Sequence, residues 1–278
     1  HIPTILVISK ADLQRNDNLL KKITEATSET PLLISSLTKQ GIKELQEKLL
    51  EKVPADFEKE SITGELAKKG DLILLVMPQD IQAPKGRLIL PQVQVMRELL
   101  DKGCQIMAVT TEQLKSALQK LNQAPDLVIT DSQVFKYVYE NISSESKLTS
   151  FSVLMAGYKG DLNYYAKSVE ILERLNGDST VLIAECCSHA PLSEDIGRVK
   201  IPRMLKKKFP GIGVEIVSGT DFPDDLTKYD LIITCGGCMF NRRYIMTRVN
   251  QAKGQMIPMT NYGIFIAYVN GILDKVIY

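Results

Sequence analysis

Short apolar runs separated by amphipathic helical stretches constrain the fold of this chain more than any other feature of its sequence. Runs of this kind, alternating with helices, are typical of buried strands in a parallel sheet, because helices cover both faces of such a sheet. The alternation therefore predicts an α/β chain with mainly parallel sheets flanked by helices. The predicted strands are residues 5–8, 31–34, 72–77, 105–109, 127–130, 149–155, 181–184, 214–217 and 231–234.

The predicted elements fall into three consecutive α/β units. We expect the boundaries near residues 60 and 155, which gives units of residues 1–60, 61–155 and 156–278. The strands and helices predicted in the first unit are too few to close a doubly wound sheet. We therefore expect the natural protein to continue before His1.

The charge balance gives no sign of a polyanionic partner. The chain has 34 Lys and Arg against 33 Asp and Glu, a formal net charge of +1, whereas proteins that bind nucleic acid electrostatically concentrate positive charge. No apolar run approaches the roughly 20 residues that a membrane helix needs, and the N-terminal residues lack the pattern of a secretory signal. We predict a cytoplasmic protein with no nucleic-acid and no membrane partner.

Four of the five cysteines lie in two tight groups in the last unit, a pattern that suits metal binding better than disulfides. The Cys-x-x-Cys pair Cys235 and Cys238 and the adjacent pair Cys186 and Cys187 each follow closely on a predicted strand. Parallel strands end at the same edge of a sheet, and ligands of open α/β sheets collect at that edge. The two groups are therefore expected to converge in space.

The pattern favours Cys187, Cys235 and Cys238 as metal ligands. Successive side chains at a strand end point to opposite faces, so one of Cys186 and Cys187 is expected to face the core. We choose Cys187 as the ligand because His189, a second candidate, lies two residues further along on the same side.

The fourth ligand and the kind of metal stay open at this point. His189 and Glu194 are the candidate fourth ligands, and Asp195, the carboxylate next to Glu194, could also reach the site. A set of three cysteines and one histidine is an ordinary zinc site, whereas three cysteines on a 4Fe-4S cluster leave one iron with an exchangeable ligand, as a site that docks a cargo requires. Cys235 and Cys238 alone also fit a redox dithiol or two buried structural cysteines. The role of Cys186 is not settled by the pattern.

A Cys-x-His motif that ends at His189 precedes the Cys-x-x-Cys motif of Cys235 and Cys238. In this pairing the chain resembles the FeFe-hydrogenase maturation family HydF. The family often has His just before its Cys-x-x-Cys, where this chain has Thr234, which puts histidine ligation at that position in doubt. The middle unit, including residues 84–91, resembles the family's dimerisation domain. The matching C-terminal stretches are residues 185–189, 193–203, 218–223, 235–243 and 260–263.

The resemblance implies a scaffold protein with no catalytic residue in its C-terminal part. Such a protein binds a 4Fe-4S cluster through Cys187, Cys235 and Cys238, accepts a transient diiron subcluster precursor from the radical-enzyme maturases HydE and HydG, and delivers it to apo-FeFe-hydrogenase. The resemblance also implies a homodimer or a higher oligomer. Residues 61–155 would then form the dimerisation domain and residues 156–278 the iron–sulfur cluster-binding domain.

The first unit resembles the rear part of the family's GTPase domain. The segment from Ser9 to Asp12 looks like the guanine-reading Asn-Lys-x-Asp motif with Ser in place of Asn, and Ser35 begins a segment that looks like the loop supporting the base. Lys10, Asp12 and Ser35 are the residues of this degenerate guanine-type site. The chain has no Gly-rich phosphate loop. We therefore expect GTP to bind only if a further N-terminal part is present, and we expect no GTPase activity from the chain as it stands.

Two other classes of function compete with the scaffold. The first is a zinc-stabilised protein interaction module. Visible absorption distinguishes it from the scaffold, because iron–sulfur clusters absorb visible light and zinc thiolates do not. The second is an enzyme, either a nucleotide hydrolase or a cluster-dependent redox catalyst. The missing phosphate loop argues against the hydrolase, and the lack of a second cofactor motif argues against the redox catalyst.

Overall fold

The computed structural model describes residues 3–13, 17–52, 61–78, 88–186 and 195–277. The chain divides into two compact units, His1–Lys59 and Glu60–Tyr278. Within the described residues the strands form three sheets, and their pairings are parallel. The predicted α/β class with parallel sheets flanked by helices is confirmed. No helix among these residues has the length and apolar character needed to span a membrane.

The first unit is built on two short parallel strands, β1 (Val7–Ile8) and β2 (Leu32–Leu33). Helix α1 (Asp17–Thr27) connects the strands, and α2 (Ile42–Lys52) follows the second strand. The order strand, helix, strand, helix agrees with the order that the apolar runs predict. Both strands are shorter than the runs themselves.

In the described part of the second unit the strands form two four-stranded sheets, and the first of them covers β3 to β6. Its strands are β3 (Leu72–Val76), β4 (Gln105–Val109), β5 (Leu127–Thr130) and β6 (Lys147–Ser150), and its helices are α3 (Leu90–Asp101), α4 (Leu114–Lys120), α5 (Phe135–Asn141) and α6 (Phe151–Lys159). The order across the sheet is β4–β3–β5–β6. Every residue of β5 is buried, as expected for a strand with both faces covered.

The second sheet repeats this arrangement. Its strands are β7 (Thr180–Ala184), β8 (Gly213–Val217), β9 (Leu231–Thr234) and β10 (Met259–Asn261), and its helices are α7 (Leu162–Ser168), α8 (Ile201–Lys208), α9 (Arg242–Gly254) and α10 (Tyr262–Val269). The order across the sheet is β10–β9–β7–β8. A π-helical turn, Ile196–Lys200, leads into α8.

The predicted strand at residues 149–155 is wrong from Phe151 onward. Strand β6 ends at Ser150, whose hydroxyl oxygen accepts a hydrogen bond from the main-chain N–H of Val153 at 3.2 Å. This bond is a helix N-cap, and α6 begins at the next residue. Most side chains of α6 are buried, so its apolar run has no amphipathic period that would separate it from a buried strand.

Helix α6 joins the hydrophobic cores of the two sheets. Phe151, Leu154 and Met155 pack in the core on one face of the first sheet, whereas Val153 and Ala156 pack in the core that the first sheet shares with the second. The helix also packs against α3, α9 and α10. Its C-terminal end therefore has a fixed position relative to the second sheet.

A carboxylate ties the beginning of the second unit to α3. Glu98 accepts hydrogen bonds from the hydroxyl of Ser61 at 2.8 Å, from the main-chain N–H of Ile62 at 2.6 Å and from that of Thr63 at 2.9 Å. Burial raises the pKa of Glu98, but the hydrogen bonds from Thr63, Ile62 and Ser61 together outweigh it and hold the pKa below its usual value. The folded state therefore favours the ionised carboxylate.

Glu98→Gln is expected to lower the free energy of unfolding at neutral pH by about 1–3 kcal/mol, because a neutral amide accepts these bonds less strongly. The folded pKa of Glu98 is depressed, so its contribution is present above the unfolded value of about 4.3 and is lost as the pH falls through the folded value. Denaturant titrations from pH 7 down to the acid range should show that the free energy of unfolding falls less steeply with decreasing pH in the variant than in wild type. Glu65→Gln, at an exposed position of the same segment, is the control, and equal acid slopes in Glu98→Gln and wild type would contradict the assignment.

Candidate metal centre

The two cysteine groups leave the second sheet at the same edge. Strands β7 and β9 pair in parallel with Ala184 aligned to Thr234, and both strands end at these residues. The main-chain N–H of Cys186 then donates a hydrogen bond to the sulfur of Cys235 at 3.1 Å. The structure therefore brings one cysteine of each group together.

The turn between the two cysteines of the Cys-x-x-Cys motif is shaped by Gly237. Its φ is +63°, in the left-handed region that favours glycine, and its carbonyl accepts from the main-chain N–H of Phe240 at 3.0 Å. Helix α9 begins at Arg242, and the Asn241 side chain caps it by accepting from the main-chain N–H of Tyr244 at 2.9 Å. The cysteine pair thus directly precedes a helix N-terminus, whose partial positive charge favours thiolates.

A buried lysine lies beneath this turn. Lys159, the last residue of α6, is only 6% exposed. Its ammonium group donates to the carbonyl oxygens of Gly237 at 2.8 Å, Phe240 at 2.9 Å and Cys238 at 3.3 Å. Sequence reasoning does not select this residue, although a single charge at the end of an apolar stretch is a signal that could have found it.

Arg242 makes the reverse contact, from the start of α9 to the end of α6. Its Nη1 atom donates to the carbonyl oxygens of Gly157 at 3.4 Å, Tyr158 at 3.1 Å and Gly160 at 3.0 Å. A cation at this place satisfies the last carbonyls of a helix and complements the negative end of its dipole. Lys159 at the end of α6 thus donates to the cysteine turn, and Arg242 just after the turn donates to the end of α6.

Cys186 lies buried behind the turn, next to Cys235. Its hydrogen bond to Cys235 and its burial raise the pKa of the Cys186 thiol far above the ordinary value, so this thiol stays protonated. Nη1 of Arg248 lies 3.6 Å from the Cys186 sulfur, and the Arg248 guanidinium lies over the rings of Phe222 and Tyr244 at 4.8 and 4.9 Å from their centroids. Cys186 is thus a core residue, as expected for one member of the adjacent pair.

An ion pair between buried Glu185 and partly exposed Arg198 joins the residues that flank the segment 187–194 in the sequence. Nε of Arg198 donates to one oxygen of Glu185 at 2.8 Å, and the hydroxyl of Tyr262 donates to the other at 3.4 Å. Burial raises the pKa of Glu185, and the hydrogen bond from Arg198 opposes that rise. Asp195, a carboxylate near the predicted fourth ligand, accepts from the main-chain N–H of Arg198 at 2.8 Å and caps the π-helical turn.

Cys187, His189 and Glu194 lie outside the described residues, so the predicted ligand set stays a prediction. Among the residues that the structure does describe, no group of three or more His, Cys, Asp and Glu side chains is placed to hold a metal ion. No disulfide joins the described cysteines, which are Cys104, Cys186, Cys235 and Cys238.

Two of the three predicted guanine-type residues, Asp12 and Ser35, are in contact in the first unit. The hydroxyl of Ser35 donates to the carboxylate of Asp12, and Ser35 itself is fully buried. The main-chain N–H of Ala11 donates to the carbonyl oxygen of Ile34 at 3.0 Å, which holds the two segments side by side. Lys10 is exposed and has a φ of +58°. The structure therefore brings Asp12 and Ser35 together and leaves the Lys10 side chain at the surface.

Two family models match the second unit of the chain. The Hydrogen maturase F dimerization domain matches residues 62–160, and the Hydrogen maturase F tetramerization domain matches residues 163–278. The first match contains β3 to β6, and the second contains β7 to β10 with the Cys-x-x-Cys turn. A comparison with curated proteins finds no match.

Solved structures show weak similarity to the chain. An NtrC family transcriptional regulator from Clostridium acetobutylicum is 12% identical, with 74% of this chain and 97% of that chain covered and a TM-score of 0.24. An ABC domain in complex with L-Trp from Streptococcus pneumonia is 11% identical, with 74% and 84% covered and a TM-score of 0.27. An aspartate transcarbamoylase from Trypanosoma cruzi is 10% identical, with 100% and 97% covered and a TM-score of 0.27. At such values the similarity carries no argument about function.

Gly237→Ala is expected to lower the free energy of unfolding by about 1–3 kcal/mol, measured by denaturant titration. The left-handed φ disfavours any side chain, and an added Cβ would lie 2.7 Å from Cδ1 of Ile245. Gly236→Ala is the matched control, because its Cβ would meet Met155 Cβ at an ordinary 3.6 Å. If both variants were equally stable, the described shape of the turn would be wrong.

Proposed function

Because the chain belongs to the hydrogen maturase F family and has a role in hydrogenase maturation, we propose that it is a scaffold whose 4Fe-4S cluster is bound by Cys187, Cys235 and Cys238. The observation that carries the proposal is the hydrogen bond from the Cys186 main-chain N–H to the Cys235 sulfur, at the edge where both cysteine groups leave the sheet. The chain carries the family's dimerisation and tetramerisation domains and therefore belongs to an oligomer.

The donors around the turn fit an anionic iron–sulfur cluster. Hydrogen bonds to cysteine sulfur and positive charge near the cluster are the means by which proteins stabilise such groups. The sulfur of Cys235 accepts a main-chain N–H, α9 directs its N-terminus toward the turn, and Lys159 places a buried cation beneath it. Cys187 is the next residue after Cys186 in the chain, which supports it as the third thiolate.

Three thiolates on a four-iron cluster leave one iron with an exchangeable coordination position. When bound, the 4Fe-4S cluster would supply this open position. In our proposal the thiolates of Cys235 and Cys238 hold the cluster at the sheet edge, and His189 or Glu194 is the exchangeable fourth ligand. The diiron subcluster precursor is the cargo. The chain receives it from HydE and HydG and delivers it to apo-FeFe-hydrogenase.

The first unit is, in the same proposal, the base-reading part of a GTPase domain. The contact between Asp12 and Ser35 supports this reading, since a carboxylate held by a buried hydroxyl has a defined direction for accepting from a guanine ring. Lys10 would lie against the base. We also propose that the protein acts in the cytoplasm, where reduced cysteines persist.

Iron content and electron paramagnetic resonance test the ligand set. Anaerobic reconstitution is expected to give about four iron atoms per chain and a signal on reduction, and Cys187→Ala, Cys235→Ala and Cys238→Ala should each lose most of both. Cys104→Ala is the matched control, because Cys104 is buried in the core of the first sheet and donates to the Lys68 carbonyl at 3.2 Å.

Two results would overturn the scaffold. The first is zinc in place of iron, which would make the domain a zinc-stabilised interaction module. The second is iron uptake that the three cysteine substitutions leave unchanged.

The fourth ligand is tested by His189→Ala and Glu194→Ala in the reconstituted protein. We expect one of them to change the spectrum of the reduced cluster while its iron content stays near that of wild type, because the ligand is exchangeable and three thiolates still hold the cluster. Spectra unchanged in both variants would exclude both residues.

A further inference from the structure

Lys159 connects the two family segments at the cysteine turn. It is the last residue of α6, inside the segment that matches the dimerisation domain, whereas the carbonyls that accept from it belong to the segment that matches the tetramerisation domain. The three carbonyls are those of Gly237, Cys238 and Phe240, at 2.8 to 3.3 Å. The contact therefore reaches from one segment to the turn that carries Cys235 and Cys238, two of the proposed thiolate ligands.

The ammonium group suits two tasks at this place. Its three N–H donors meet three carbonyls of the turn, so it fixes the backbone on which Cys238 is carried. Three carbonyl acceptors around Nζ match the ammonium form, which carries three N–H groups. A charge in this buried position acts more strongly on neighbouring charges than that of a surface lysine, because the local dielectric is lower.

Arg242 supports the same connection from the other side. Its guanidinium donates to the carbonyls of Tyr158 and Gly160, the residues on either side of Lys159. The backbone around Lys159 is thereby fixed by α9, while the Lys159 side chain fixes the turn that precedes α9. Both contacts therefore join the end of α6 to the region where α9 begins.

We propose that Lys159 is a positioning and charge-tuning residue of the cluster site, which holds the Cys235–Cys238 turn on α6 and raises the reduction potential of the bound cluster. This inference rests on the proposed function. Reduction adds one negative charge to an already anionic cluster, and a nearby buried cation stabilises the reduced form more than the oxidised form. The electron comes from the chemical reductant or electrode used in the titration.

The test is a redox titration followed by electron paramagnetic resonance on anaerobically reconstituted wild type, Lys159→Gln, Lys159→Met and Lys159→Arg. Gln keeps donors to the carbonyls without the charge, Met removes both, and Arg keeps the charge. At the wild-type midpoint potential we expect the ratio of reduced to oxidised cluster to fall about tenfold in the Gln and Met variants, which corresponds to about 59 mV for one electron. Arg should restore most of the ratio, and Met should also retain less iron than Gln.

Lys167→Met is the matched control, because it removes one positive charge from an exposed position on the neighbouring helix α7. Circular dichroism and sedimentation report folding and assembly of every variant. Wild-type midpoint potentials in the Gln and Met variants, or the same drop in Lys167→Met, would overturn the inference, and so would loss of folding in all three Lys159 variants, which would make the lysine a core residue only. Failure of wild type to take up iron would instead overturn the proposed function.

Discussion

Parallel pairing between β7 and β9 fixes where the chemistry of the second sheet can lie. With Ala184 aligned to Thr234, the backbone that follows each strand emerges at the same edge, and the N–H of Cys186 meets the sulfur of Cys235 there. A shift of the register by one residue would turn the side chains of β9 to the opposite face and separate the two groups. The glycine turn, the helix that follows it and the buried lysine all depend on this alignment.

The packing of α6 extends this constraint to the first sheet. One side of the helix contacts the core under the first sheet and the other contacts the core shared by both sheets, so the helix has little freedom to slide or rotate. A lysine at the end of so constrained a helix is held at a fixed depth. The burial of an ammonium group is tolerated because carbonyl oxygens of the turn replace water around it.

The elements that could be predicted from the sequence are those in which every residue has the same environment. Every residue of β5 and β9 is buried, and an apolar run reports that directly. Strand β10 could not be predicted, because Thr260 and Asn261 are polar yet buried. Thr260 donates to the Tyr165 carbonyl, and Asn261 caps α10. The meeting of the cysteine groups follows from strand direction alone, whereas the contact of Lys159 spans 78 positions along the chain and arises only from the packing of α6.

Lys159 and Arg242 each donate hydrogen bonds from one family segment to the other, and this exchange limits how the two segments can be recombined. A gene fragment that encoded only residues 163–278 would yield a turn whose carbonyls had lost their ammonium donor, and one that encoded only residues 62–160 would leave the end of α6 without its guanidinium. A recombinant protein with only one segment exchanged would be at risk of losing both the lysine donor to the turn and the arginine donor to the end of α6. The two segments are thus expected to be inherited as one block, although each has its own sheet.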